Sequence, residues 1–150
     1  MNKRFWVEVR VSYDGVAENG KKTNMKDTWL VRAATFAEAE ARAATVVASD
    51  SHYVDNVEVE ACTKRNISAV WGSSTDDGLM NFYKVRCEGI LFTDEKGKER
   101  RCKRYYLIGS PNLLDAYETF LKCMSDSEFS EFEVLGINLT PIVEVLSDHE

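Results

Sequence analysis

Arg100, Arg101, Lys103 and Arg104 stand directly ahead of Tyr105 and Tyr106. Residues 95–106 hold six Lys/Arg against two Glu, a local sum of +4. The whole chain carries a formal net charge of −6, which leaves −10 for everything else. Cations interleaved with aromatic rings can bind single-stranded nucleic acid. The charges follow the phosphates and the rings stack on bases, at roughly 1–3 kcal/mol per base. The plainer reading of the same residues is an edge strand protected from aggregation by its charges.

Such chemistry needs the side chains on one face. In a strand, Arg101, Lys103, Tyr105 and Leu107 point one way, and Cys102, Arg104, Tyr106 and Ile108 the other. The alternating run before it sets Phe82, Lys84, Arg86 and Glu88 opposite Tyr83, Val85 and Cys87. With Tyr83, Val85, Cys87, Cys102, Tyr106 and Ile108 turned towards a helix, the open face carries Phe82, Lys84, Arg86, Arg101, Lys103 and Tyr105. Arg100 and Arg104 complete the candidate nucleic-acid-binding set. They replace Thr23 and Asp27 at the matching positions of the first half.

Other chemistry is poorly represented. The four cysteines, Cys62, Cys87, Cys102 and Cys123, form no CxxC pair. They read as small hydrophobes in a reducing compartment, with a Cys87–Cys102 disulfide as the lesser alternative. His52 and His149 lack companions at metal-ligand spacing. Asp126, Glu128, Glu131 and Glu133 are interrupted by Phe129 and Phe132 and read as a solvated loop entering a strand. No phosphate loop, dinucleotide fingerprint or nucleophile elbow is present. A non-catalytic protein with no cofactor and no metal is expected. No apolar run approaches a membrane span or signal peptide, so the expected location is cytoplasmic, with no membrane partner.

The elements repeat. Phe5 to Tyr13 alternates as a half-buried strand, and Met25 to Arg32 follows as its hairpin partner. Thr35-Phe36-Ala37-Glu38 has the form of a capping box ahead of an Ala-rich helix running to about Ala48. Val57 to Ala61 is a strand and Ile67 to Trp71 a short apolar extension. Residues 73–80 make a polar linker. The pattern then returns 75–77 residues later: Trp6–Val11 with Phe82–Cys87, Gly20-Lys21 with Gly97-Lys98, and Trp29-Leu30-Val31 with Tyr106-Leu107-Ile108. Asn112 and Asp115 echo Thr35 and Glu38, after Ser110-Pro111 opens the second helix. The spacing predicts a duplication. The expected fold class is α+β, with two pseudo-symmetric strand–strand–helix–strand units forming one antiparallel-sheet fold. The first unit is 1–72, the linker 73–80 and the second unit 81–150.

The order Trp6-x-x-x-Arg10, Gly20-Lys21, Trp29-Leu30-Val31, Phe36-Ala37-Glu38-Ala39-Glu40-Ala41, Phe82-Tyr83-Lys84-Val85 and Pro141-Ile142-Val143-Glu144-Val145 resembles domain-of-unknown-function family 4494 of Bacteroidales and their phages. That resemblance implies a phage or mobile-element setting and transfers no activity or site residue. The leading expectation is an accessory protein binding single-stranded nucleic acid. The alternatives are a protein-interaction or inhibitor module acting on a host defence or replication factor, and a binder of small phosphorylated ligands. Oligomeric state is left open.

Overall fold

The computed structural model describes residues 3–16, 18–49, 55–72 and 80–147. In chain order the elements are β1 (Phe5–Val16), β2 (Lys22–Ala33), α1 (Phe36–Ser49), β3 (Asp55–Arg65), β4 (Ala69–Gly72), β5 (Asn81–Thr93), β6 (Glu99–Ser110), α2 (Leu113–Met124), β7 (Glu131–Leu139) and β8 (Ile142–Leu146). The fold is α+β and contains two strand–strand–helix–strand units, each with its own four-stranded sheet. His52, His149 and residues 73–79 of the expected linker lie outside the described residues.

The first unit has strand order β3-β1-β2-β8. Strict alternation turns Val7, Val9 and Val11 of β1 inward, and Trp29 and Val31 of β2 join them. Helix α1 meets this face with Ala39, Ala43 and Val47, four residues apart and all buried. The helix begins where its sequence expects: Thr35 Oγ1 accepts the Glu38 N–H at 3.0 Å, and Glu38 returns a carboxylate oxygen to the Ala34 N–H at 2.6 Å. Arg4 pairs with the same carboxylate at 3.0 Å. Phe36, the first residue of the helix, stays exposed and meets Phe5 edge-on, with ring centroids 5.7 Å apart.

The second unit has strand order β4-β6-β5-β7. Its inner face carries Tyr83, Val85, Cys87, Tyr106 and Ile108, as the alternation predicts, and Cys102 packs against them. Helix α2 contributes Ala116, Phe120 and Met124. Phe120 stands where α1 has Ala43, and an aromatic cluster fills the space. Its ring lies 5.5 Å from Tyr106 and 5.9 Å from Phe132, while Trp71 stacks on Tyr106 at 4.7 Å. Asn112 caps α2, its side chain accepting the Asp115 N–H at 2.8 Å. Pro111 therefore precedes the cap instead of sitting in the first turn. The hairpin turns match as well: Gly20 and Gly97 have φ of +79° and +80°, a conformation that glycine adopts without steric cost.

The boundaries differ from the expected 1–72 and 81–150. Strand β4 pairs in parallel with β6, from Ala69↔Tyr106 to Gly72↔Gly109. Strand β8 pairs in parallel with β2, with Leu30↔Val145 and Val31↔Leu146. The first unit thus comprises Met1–Arg65 with Pro141–Glu150, and the second Asn66–Thr140. Each sheet takes its fourth strand from the other half of the chain. The sheets are therefore mixed, with three antiparallel strands and one parallel edge.

Candidate functional site

The face of the second sheet turned away from α2 is built in rows. Strand pairing sets Asn138 beside Lys84 beside Leu107, then Gly136 beside Arg86 beside Tyr105. The next rows are Glu133–Glu88–Lys103 and Glu131–Ile90–Arg101. Lys84, Arg86, Arg101, Lys103 and Tyr105 are thus brought together as predicted. The Lys84 ammonium lies 5.0 Å from the Tyr105 ring centroid. Arg86 lies across β7 at a bulge, where a Cβ on Gly136 would come within 2.5 Å of its Nη2.

The remaining candidates are placed otherwise. Phe82 and its neighbour Leu107 are on this face but buried, so Phe82 offers no ring for stacking. Arg104 is on the helix side, where it pairs with Glu128 and lies 4.8 Å over the Phe129 ring. Its alternation with Cys102 and Tyr106 already assigned it there. Arg100 is exposed towards the hairpin tip, with no ion pair among the described residues. Arg101 bonds Glu99 at 3.0 Å and Glu88 at 3.4 Å, and these carboxylates hold its guanidinium above its ordinary pKa.

Three carboxylates share this face with the cations. Glu88 shares the face through its own strand. Glu131 and Glu133 join it because β7 docks beside β5 with Phe132 and Val134 turned inward. They line a shallow depression with Ile90 and Arg101. Four cations therefore face three carboxylates, and the face is mixed rather than basic. The period-two pattern Glu131-Phe132-Glu133-Val134 contained the signal. Among the described residues, no group of three His, Cys, Asp or Glu side chains is set to hold a metal ion. All four cysteines are free thiols. No described helix is long and apolar enough to cross a membrane.

Two further surfaces lie on the second unit. On α2, Leu113, Leu114, Tyr117 and Leu121 are exposed, between 38% and 67% of each residue. They recur at three- and four-residue spacing, so they share one side of the helix. The matching positions of α1, 77 residues earlier, are Phe36, Ala37, Glu40 and Ala44. The other surface is the outer side of β6. Strand β4 covers it only from Tyr106 to Gly109, with one added bond from the Ser68 N–H to the Tyr105 carbonyl at 2.7 Å. From Glu99 to Arg104, β6 pairs with β5 on its inner side and has no outer strand among the described residues.

The chain belongs to the DUF4494 family. The model of this domain of unknown function matches residues 5–148. No curated protein and no solved structure matches the chain. The DUF4494 match spans the strands of both sheets, the two exchanged ones included.

Proposed function

We propose that this DUF4494 protein is a non-catalytic protein-interaction module, an adaptor or inhibitor in a phage or mobile-element setting. The observation that carries the reading is the apolar side of α2. Leu113, Leu114, Tyr117 and Leu121 are large side chains left in water, although the same helix buries Ala116, Phe120 and Met124 on its other side. Contiguous exposed apolar surface of this kind marks places where another protein packs. The mixed sheet face supports the reading too. Glu88, Glu131 and Glu133 repel phosphates, whereas alternating charges suit a protein surface. The test is affinity capture from host lysate with nuclease present, comparing wild type with Leu114→Glu/Leu121→Glu. A stoichiometric, nuclease-resistant partner lost in the variant is expected. A partner retained by the variant removes the helix as the site.

A second reading, nucleic-acid binding, rests on the two rows that hold no carboxylate. Lys84 over Tyr105, with Arg86 opposite, leaves a ring and two cations together. Titration with single-stranded DNA and RNA tests it. Binding that weakens steeply with salt and is lost in Lys84→Glu/Arg86→Glu favours it. The same cluster accounts for any small phosphorylated ligand, which would appear as thermal stabilisation in a nucleotide panel.

A further inference from the structure

Strand β6 is 12 residues long, and among the described residues its outer side is covered only in its second half. The Tyr105 carbonyl points outward, since it accepts the Ser68 N–H. Backbone groups of a strand alternate in direction, so those of Lys103 and Arg101 point the same way and those of Arg104 and Cys102 point to β5. Arg101 and Lys103 thus present N–H and C=O groups with no strand among the described residues to receive them, the Lys103 carbonyl meeting only the Cys102 thiol at 3.7 Å. Such an edge is a template for an added strand.

The side chains beside this edge specify what would be added. Glu99 to Arg104 carries four cations and one carboxylate, for a sum of +3. The matching stretch of the first unit, Lys22 to Asp27, carries two cations and one carboxylate. Both of those lysines are engaged, Lys22 with Asp55 at 3.1 Å and Lys26 with Glu60 at 3.4 Å. Arg100 and Lys103 have no ion pair among the described residues and are exposed. The first unit therefore shares the open edge and lacks the charge.

We propose that the outer edge of β6, from Glu99 to Arg104, receives an extended acidic polypeptide segment by strand addition. The segment extends the sheet with backbone hydrogen bonds to Arg101 and Lys103. Its carboxylates lie on the face of Arg101 and Lys103, where opposite charges on neighbouring strands attract. An acidic peptide satisfies both features at once. A nucleic acid meets the cations but cannot match the backbone ladder. The proposal shares with the reading above only that the partner is a protein, and it uses a different surface from α2.

The full-length protein is titrated with a fluorescent eight-residue peptide alternating Glu and Val. Parallel arms use the Lys/Val counterpart, the Glu/Val peptide with alternate backbone N-methylation, and a single-stranded oligonucleotide. Saturable binding of the Glu/Val peptide alone is expected. The Lys103→Pro variant removes an outward N–H and leaves the β5 ladder intact. It should weaken binding about tenfold beyond Lys103→Ala, the loss set by about one hydrogen bond. Arg101→Glu/Lys103→Glu should abolish binding without changing the unfolding midpoint by more than a few degrees. Three results overturn the proposal: no binding of the acidic peptide, equal binding of the N-methylated peptide, or preference for the oligonucleotide. None of them bears on capture through Leu114 and Leu121. Loss of that capture leaves the peptide result standing.

Discussion

The Arg104 guanidinium lies 4.8 Å from the centroid of the Phe129 ring, on the side of the sheet that carries α2. Glu128, the preceding residue, closes an ion pair with it. The contact turns a strand cation into a fastener for the segment between α2 and β7. Truncating it removes a cation–π contact and a half-exposed ion pair. Arg104→Ala should lower stability by about 1 kcal/mol, most of it from the ring contact. Urea denaturation followed by tryptophan fluorescence measures this, and Arg104→Lys should recover only part of the loss.

Beneath that ring lies Gly89. A Cβ there would stand 2.4 Å from Phe129 Cγ, closer than side chains pack. Gly89→Ala should therefore cost about 1–3 kcal/mol by overpacking. The double variant Gly89→Ala/Phe129→Ala should cost less than the two single changes together, because the second removes the obstacle of the first. Additive losses would show that the ring is free to move aside.

The Glu38 carboxylate is held below its ordinary pKa by the Ala34 N–H and then by Arg4. A depressed folded-state value means the stabilisation is present above the unfolded value and fades as pH falls through the folded one. The unfolding midpoint should thus drop on acidification from about pH 5 to about pH 3. Glu38→Gln, which cannot titrate, should flatten that part of the profile. An unchanged slope would assign the acid sensitivity to other groups.

Cys62 offers a chemical readout. Burial, then the Glu40 carboxylate 3.6 Å from its sulfur, pushes the thiol up to about 11. Its alkylation by iodoacetamide should keep accelerating above the pH at which an ordinary thiol levels off. Glu40→Gln removes the carboxylate charge and should speed labelling at a fixed alkaline pH. Mass spectrometry of the Cys62 peptide reports both effects.

Much of the frame was legible because period-two alternation does not depend on distant partners. Val7, Val9 and Val11, and Tyr83, Val85 and Cys87, face inward as read. The capping residues Thr35 and Asn112 also sit where they were expected. The exchange of edge strands was not legible. Val145 meets Leu30 and Val70 meets Leu107, positions that correspond in the two halves. Either strand would fit either sheet by pattern, so local sequence cannot choose. Alternation placed Lys84, Arg86, Arg101 and Lys103 on one face and Arg104 on the other, whereas Glu131 and Glu133 reach that face only because β7 docks beside β5. The burial of Phe82 was hidden for the same reason, since alternation assigns a face but not what covers it.

The exchanged strands constrain how the polypeptide can be divided. Thr28 and Ile142 are neighbours in the first sheet yet lie 114 positions apart in sequence. A fragment ending at Gly72 would carry β4 without the strand that receives it, and would leave β2 uncovered on one side. A fragment starting at Asn81 would carry β8 with the same problem reversed. No single cut in the gene releases both units whole. During synthesis the first sheet waits, one edge unpaired, until Ile142–Leu146 has left the ribosome.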